Sequence, residues 1–369
     1  MTLQELIIQA QNLPRLKRHE ALFYQNHLDV LVDLVDVRLT SLENISRLIG
    51  HNPLQIMYDN HQHHARFMAT VFVVNDYSLL AKTLPWVYRS YRAHHFSYDY
   101  FIAELEAWIQ ALRDVFPETM AATIIRIYEW MIGVHHHVID LGQSEHLFRP
   151  PHNADYLDDK NIFLEALLLG DSQACLQLAR KYIDSIADLD IFYLYILQAA
   201  MFNIGVMWEK AEITIAQEHL ASTIVNRLMA QVALDISPGN QHMGSAVVST
   251  SPNEYHQLGA LMVADVLDFD GWEVHFVGAD VPHEELIAFV KDKAPDFFAL
   301  SVTIPFNLAR AQAIIEALRA DPAMQSMKIM VGGRAFIDNP TIWYQIGADG
   351  YAANIIEARE LGRKWRNTE

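Results

Sequence analysis

Residues 251–259 read SPNEYHQLG, directly after an apolar run at 246–248 and before an amphipathic stretch at 260–269. This order predicts a strand, a loop and a helix, with His256 in the loop at the carboxyl end of the strand. Ligands of open α/β sheets bind at that end. A neutral imidazole can coordinate a metal there, and the carboxylate of Glu254 can hold its second nitrogen and raise its basicity. Taken alone, the motif is equally compatible with a surface histidine at a helix start.

The C-terminal part of the chain alternates strands and helices. Its strands are predicted near 245–250, 272–277, 297–302, 328–332 and 350–353. Five parallel strands with flanking helices form a flavodoxin-like doubly wound sheet. The loops at the carboxyl ends of these strands bring His256 together with 301–303 and 332–333. Gly259 lets a large group approach the backbone beside them.

These motifs, in this order, resemble the signature of cobalamin-binding domains. The signature is D-x-H-x-x-G, and Glu254 stands here in the place of Asp. In that family the loop histidine replaces the nucleotide tail of the cofactor as the lower cobalt ligand, which the resemblance assigns to His256. It also implies that the motifs after the third and fourth strands line the tunnel for that tail. The residues concerned are Ser301, Thr303, Gly332 and Gly333. The resemblance covers roughly residues 155–369.

A second pattern lies upstream, where Trp208 is followed after nine residues by Glu218 and His219. The spacing resembles that of the light-sensing CarH-type photoreceptors. There the Trp caps the adenosyl group of adenosylcobalamin, the Glu contacts it, and the His takes the upper cobalt position once light has removed it. Methyltransferase modules and mutases share the lower motif without this pair. Singly, Trp208 is compatible with a core aromatic and the pair with a solvated helix face.

Residues 151–240 are predicted to form a four-helix bundle, which in that family covers the upper face of cobalamin. Its helices are expected at 156–169, 172–186, 191–208 and 214–234. Asp171 and the Asp188–Asp190 segment are placed to cap the helices that follow them. The sheet domain is expected to occupy residues 241–369.

Charge and composition limit the partners. The formal net charge is −18, which argues against nucleic acids and anionic membranes because phosphate contacts need clustered Lys and Arg. A single cysteine, Cys175, fits a reducing compartment, and the N-terminus lacks the basic region of a signal peptide. No apolar run is expected to reach spanning length. We therefore expect a cytoplasmic protein that binds neither nucleic acid nor membrane.

Residues 1–150 are predicted to be all-helical, with six to eight helices in a vaguely globin-like arrangement. Helical periodicity runs through 22–37, 57–74, 100–115 and 120–139, and breaks are expected at Pro14, 50–53, Pro85, Pro117 and Gly142. Residues 42–50 faintly resemble a helix-turn-helix. However, 12 Lys and Arg against 16 Asp and Glu in residues 1–150 favour an ordinary short helix over a DNA-binding element.

The N-terminal domain holds 12 of the 18 histidines, and tyrosine and arginine accompany them in the run at 85–98. Such a domain could bind haem, bind a linear tetrapyrrole, or serve as a dimerisation or signalling block. An amphipathic helix with exposed arginines explains the run equally well. The candidate ligand contacts, with the two arginines placed for paired carboxylates, are Tyr88, Arg89, Arg92, His94, His95 and Tyr98.

A helical domain directly before a CarH-type cobalamin unit resembles the photocobilins, photoreceptors that pair cobalamin with biliverdin. The resemblance implies adenosylcobalamin and non-covalently bound biliverdin as cofactors. We expect a non-enzymatic light sensor that acts as a homodimer or homotetramer or through a signalling partner, because no cyclase-like or kinase-like segment is recognised. The alternatives are a cobalamin-dependent methyl-transfer module and a haem-and-cobalamin sensor.

Overall fold

The computed structural model describes residues 1–143, 153–235, 242–337 and 341–367. The chain divides into two compact units. One comprises Met1–Leu147 with Glu209–Ala211, and the other comprises Phe148–Trp208 with Glu212–Glu369. The helical segment and the sheet, expected as separate domains at 151–240 and 241–369, thus belong to the same compact unit.

The described part of the N-terminal unit is entirely helical. Its α-helices are α1 (Leu3–Gln11), α2 (Arg18–Asn26), α3 (Leu28–Thr40), α4 (Ile45–Leu48), α5 (Leu54–Val74), α6 (Tyr77–Ala93), α7 (Tyr98–Val115), α8 (Glu118–Gly133) and α9 (His135–Gly142). The segment that faintly resembles a helix-turn-helix contains only the four-residue α4. The nine helices of the described residues exceed the six to eight expected, because two of the periodic stretches are each divided in two.

Three of the expected boundaries are wrong. The stretch 22–37 is interrupted at His27, whose ring Nδ1 bonds the Phe23 carbonyl oxygen at 2.8 Å and so ends α2. The stretch 120–139 is interrupted at Val134. Pro85, an expected break, lies inside α6. The hydrophobic periodicity does not reveal the breaks at His27 and Val134 or the continuity at Pro85, because the buried face continues across all three positions.

A polar network crosses the core of this unit. His61 is fully buried and bonds Asp36 through Nδ1 and the Tyr100 hydroxyl through Nε2, the latter at 2.8 Å. Close by, His64 Nε2 lies 3.1 Å from the Tyr128 hydroxyl. Burial, with a smaller effect of His61, lowers the pKa of His64 to about 3. The numerous histidines of this unit therefore include core residues with satisfied hydrogen bonds.

The second unit begins with a helical segment. Its α-helices are α10 (Leu157–Leu169), α11 (Ser172–Ala179), α12 (Ile186–Ile191), α13 (Gln198–Glu209) and α14 (Ile215–Asp235). Asp171 caps α11 as expected, since its carboxylate accepts from the backbone N–H groups of Gln173 and Ala174. The Asp188–Asp190 segment does not separate helices: it lies within α12, whose N-terminal cap is Ser185.

Helices α12 and α13 are joined without a break by a π-helical turn, Phe192–Leu197. The combined helix Ile186–Glu209 is, within the described residues, long and apolar enough to cross a membrane, contrary to the expectation that no run reaches that length. Its apolar side chains have another partner. Leu189, Phe192, Ile196 and Ala200 are buried in the core of the helical segment, as in the core helix of a protein that does not span a membrane.

The sheet is parallel, and its order within the described residues is β2-β1-β3-β4-β5, as in flavodoxin. Its strands are β1 (Gly244–Thr250), β2 (Trp272–Gly278), β3 (Phe297–Ser301), β4 (Lys328–Gly332) and β5 (Gly350–Ala352). Its helices are α15 (Leu258–Phe269), α16 (His283–Lys293), α17 (Leu308–Arg319), α18 (Ile342–Gln345) and α19 (Ile355–Arg366). The predicted strands and topology are confirmed. Near-continuous apolar runs made them recognisable, since both faces of such strands are covered.

Two of the polar contacts between the helical segment and the sheet domain start from the long helix and end on helices that flank the sheet. Arg359 of α19 donates from both terminal nitrogens to the Asp190 carboxylate, at 2.9 and 2.5 Å, and both residues are buried. Three residues further along the same long helix, the Tyr193 hydroxyl donates to Asp265 of α15 at 2.6 Å. Burial, reinforced by the nearby charge of Asp268 and only partly offset by the Tyr193 hydrogen bond, raises the pKa of Asp265 to about 7.

We predict that Arg359→Met lowers the free energy of unfolding by about 3–5 kcal/mol, because it leaves Asp190 buried without its counter-charge. Urea unfolding followed by circular dichroism measures the loss. The matched control is Lys181→Met, which removes an exposed ion pair with Asp159 and should cost less than about 1 kcal/mol. Equal losses in both variants would contradict the role assigned to the buried pair.

A second prediction concerns pH. Between about pH 4 and 7 Asp265 is protonated in the folded chain and ionised in the unfolded one, so the native state binds the extra proton and stability falls as the pH rises. The fall due to this group is at most about 4 kcal/mol. Asp265→Asn keeps an acceptor for Tyr193 and should remove the fall, whereas Asp184→Asn, at an exposed turn, should not. Urea unfolding at pH 5 and 8 compares them.

Candidate functional site

The loop after β1 is built around the carboxylate of Glu254, which is fully buried. Its Oε1 accepts from the His256 ring Nδ1 at 2.5 Å and from the His256 backbone N–H at 3.2 Å. Its Oε2 accepts from the backbone N–H groups of Thr303 and Ile304, at 3.0 and 2.8 Å, and from Asn307 Nδ2 at 3.2 Å. One side chain thus ties the loop after β1 to the loop after β3.

This environment keeps Glu254 ionised. Burial alone would raise its pKa, but the hydrogen bond and charge of His256, with the backbone N–H groups of Ile304 and His256, outweigh burial and lower it. An ionised carboxylate on Nδ1 fixes the imidazole with its proton on that nitrogen. In the neutral imidazole with this tautomer, the other nitrogen, Nε2, offers an electron pair.

His256 presents that nitrogen to solvent. Its side chain is 58% exposed, whereas the Glu254 side chain that holds it is 0% exposed. Among the described residues no hydrogen bond engages Nε2. A rigidly held imidazole with one free nitrogen has the form of a metal ligand supported by a carboxylate.

A partly open cavity of about 100 Å³ lies near this loop, between the carboxyl-end half of the sheet and the helices α15 and α19. Its lining is mostly apolar. The predicted residues Gly259, Ser301, Gly332 and Gly333 all line it. Thr303 is not among the lining residues, and its backbone N–H instead holds Glu254.

The glycines keep backbone close to backbone around the cavity. A Cβ at Gly333, which has φ of +98°, would lie 2.4 Å from the Val302 carbonyl oxygen. One at Gly332 would lie 2.9 Å from the Ala352 carbonyl oxygen. At Gly259, by contrast, a Cβ would meet nothing within 4 Å, so open space adjoins this backbone. A largely apolar slot near an exposed imidazole is suited to an organic ligand that also carries a metal.

The pair Glu218 and His219 lies near the start of α14, where His219 Nδ1 is 2.6 Å from the Glu218 carboxylate. Glu218, Ser222 and Asn226 are spaced by four residues and therefore share one face of that helix. Ser222 donates to Glu218 at 2.8 Å, and Asn226 Oδ1 accepts from Gln257 Nε2 at 3.4 Å. This face is thus anchored next to His256 at one end and carries Glu218 roughly 12 Å further along the helix axis.

Trp208 ends the long apolar helix and is partly buried against the core of the helical segment. Both interpretations given for it, a core aromatic and a cap over a cofactor, are compatible with this position.

The side chains of five of the six candidate contacts in the N-terminal unit have a partner within that unit. The Tyr88 ring stacks on Phe101 at 3.7 Å, and its hydroxyl lies 3.0 Å from His135 Nδ1. Arg89 Nε donates to Glu209 at 2.6 Å. The remaining contacts are those of Arg92 over the Tyr98 ring at 5.5 Å and of His94 Nδ1 with the Ser90 carbonyl oxygen at 2.9 Å. His95 is exposed, with φ of +73°.

Sequence reasoning missed several residues of this site. Ile304 and Asn307 hold Glu254 from the loop after β3, and Leu194 and Gln198 line the cavity from the helical segment. Asn307 carried one usable signal, a polar residue soon after a predicted buried strand. The other three carried none, since two are apolar and Gln198 lies in a helix far from the motifs.

Comparison with known proteins agrees with this geometry. Residues 161–232 and 244–360 each match a family model described as a B12 binding domain. The chain therefore contains a cobalamin-binding unit. The chain is 29% identical over 167 residues to the dimethylamine corrinoid protein 3 of Methanosarcina acetivorans, an alignment that covers 44% of this chain and 76% of that protein. It is 23% identical over 207 residues to a corrinoid protein of Desulfitobacterium hafniense, over 54% of this chain and 94% of the relative.

Among solved structures, the monomethylamine corrinoid protein of Methanosarcina barkeri aligns with 55% of this chain and 95% of its own, at a TM-score of 0.48 and 21% identity. The two sequence relatives carry the name corrinoid protein, and neither name refers to light or to a bilin. The matches leave the N-terminal helical unit without an assignment, because both family models begin after it.

We predict that Glu254→Gln destabilises the chain by about 2–3 kcal/mol. Both carboxylate oxygens accept hydrogen bonds from the protein, so in either orientation the amide turns its NH₂ group toward donors. Thermal and urea unfolding measure the loss. Glu285→Gln, an exposed carboxylate in the first turn of α16, serves as the control, and a loss no larger than the control's would contradict the prediction.

Proposed function

We propose that the unit formed by the helical segment and the sheet binds cobalamin with His256 as the lower cobalt ligand and serves as a corrinoid carrier, which passes a methyl group between partner enzymes. The observation that supports this best is the pair of Glu254 and His256, with Nε2 exposed beside a slot for the nucleotide tail. The corrinoid proteins among the relatives support the carrier role.

Each part of the site has a task in this proposal. Glu254 orients His256 and holds the proton on Nδ1, while the slot lined by Gly259, Ser301 and Gly332–Gly333 receives the displaced nucleotide tail. When bound, the cofactor supplies a cobalt centre that can accept and release a methyl group. The carrier role assigns no catalytic residue to this chain, and the methyl donor and acceptor sites belong to its partners.

We predict that His256→Ala weakens the binding of hydroxocobalamin by at least about tenfold, because loss of a residue that only supports a ligand already costs 10–100-fold in metal affinity. The bound cofactor should also lose the absorption spectrum of histidine-ligated cobalt. Titration followed by absorbance measures both. His19→Ala, an exposed histidine of the other unit, is the control. Unchanged affinity and spectrum in His256→Ala would refute the ligand assignment.

A second candidate function is a light sensor that holds adenosylcobalamin, and one observation favours it. Glu218 and His219 lie on a helix anchored beside His256, and Trp208 ends the helix that precedes it. A bulky aromatic and an acid–imidazole pair over the upper face would suit an adenosyl group and would obstruct a methyl acceptor. In this interpretation the N-terminal unit binds biliverdin without a covalent bond, since residues 1–150 contain no cysteine.

Illumination separates the two functions. If the chain is a light sensor, the adenosyl-loaded protein under green light should end with histidine on both cobalt faces, and His219→Ala should end with water on the upper face. Purification with excess biliverdin should also give a red-absorbing band that leaves the chain on denaturation. A water-ligated product in the unsubstituted protein, together with no red band, leaves the carrier as the function.

A further inference from the structure

Gln198 is a polar residue in the lining of a cavity that is otherwise mostly apolar. Its side chain lines the cavity together with Leu194, one helical turn earlier. Its Oε1 is buried, and among the described residues it has no hydrogen-bond partner. A buried acceptor without a donor costs free energy, which is regained when a donor arrives.

The other polar side chains of the lining differ in this respect. Asn354 is the N-cap of α19, where its Oδ1 accepts from the Glu357 N–H and its Nδ2 donates to the Glu357 carboxylate. Ser301 has a hydroxyl that can rotate to suit either a donor or an acceptor. The Gln198 carbonyl oxygen can only accept, and it has no donor among the residues that the structure describes.

The backbone before Gln198 is held by two contacts. Arg359 binds Asp190 just before the π-helical turn Phe192–Leu197, and Asp265 binds Tyr193 within that turn. Such turns are rare in proteins overall, and those that occur are frequently found at functional sites. Gln198 is the first residue after this turn, so the turn sets the direction of its side chain. The contacts of Asp190 and Tyr193 hold the turn against α19 and α15.

We propose that Gln198 Oε1 accepts a hydrogen bond from a ribose hydroxyl of the nucleotide tail and makes the site prefer corrinoids that carry the complete tail. The proposal rests on the cobalamin binding proposed above. The ribose is the suitable donor because the dimethylbenzimidazole base has no N–H. Cobinamide, which has the same corrin ring and lacks the ribose and base, cannot make this bond.

The test compares the full chain with Gln198→Met, which keeps the length of the side chain and removes the acceptor. Dissociation constants for hydroxocobalamin and for cobinamide are measured by absorbance, and the thermal midpoint is measured without cofactor. We expect Gln198→Met to weaken cobalamin binding about threefold to tenfold, to leave cobinamide binding unchanged, and to raise the midpoint of the cofactor-free protein. Gln198→Leu repeats the measurement with a second apolar side chain, and Gln173→Leu, an exposed residue of α11, is the control.

Stabilisation of the empty protein together with weaker binding of only the tail-bearing corrinoid is a combination that a purely structural role does not produce. Equal weakening for cobalamin and cobinamide, or no weakening of cobalamin, overturns the proposal while leaving cobalamin binding intact. If the unsubstituted protein binds neither corrinoid, the proposed function fails, and the role of Gln198 fails with it.

Discussion

The site depends on one buried carboxylate. Glu254 sits where an uncompensated charge would be severely destabilising, and it is stable there because five hydrogen bonds from His256, Thr303, Ile304 and Asn307 surround its two oxygens. The donors come from two loops that are adjacent only because β1 and β3 are neighbours in the sheet. The carboxylate therefore fixes the loops to each other and the imidazole to both. The negative charge of Glu254 also attracts the N–H group of the His256 ring and so fixes the orientation of that ring.

The helical segment contributes to the same site through its attachment to the sheet. Asp190 and Tyr193 lie on one helix and bind α19 and α15, the two helices that also flank the cavity. These two polar contacts, together with the surrounding apolar core, fix the direction of the π-helical turn Phe192–Leu197. Leu194 and Gln198 enter the cavity as a result. A site that looks like a property of the sheet alone is completed by a helix more than forty residues earlier in the chain.

Much of the second unit could be predicted from the sequence, and the reason is physical. Strands buried on both faces give short apolar runs, and the parallel order places their carboxyl ends together, so the sequence alone groups His256, Ser301 and Gly332. The sequence does not place Gln198 and Asn226 near these residues. A helical pattern shows which residues share a face, but it does not show which distant loop that face contacts. The break predicted at Pro85 is wrong because a helix that is packed against its neighbours can continue through a proline. The light-sensing interpretation is finer than what the comparisons support, which is a cobalamin-binding unit with corrinoid proteins among its relatives.

The order of the strands has a consequence for how the chain folds. β1, β3 and β4 form the centre of the sheet, yet Gly244 and Gly332 are separated by most of the length of the sheet domain. Pairings between such distant segments carry a large loop-closure entropy and form slowly. The Glu254 network and the cavity can exist only after those pairings are complete. A corrinoid that binds this site therefore acts on the finished fold, where it stabilises the native state by mass action and does not template the sheet.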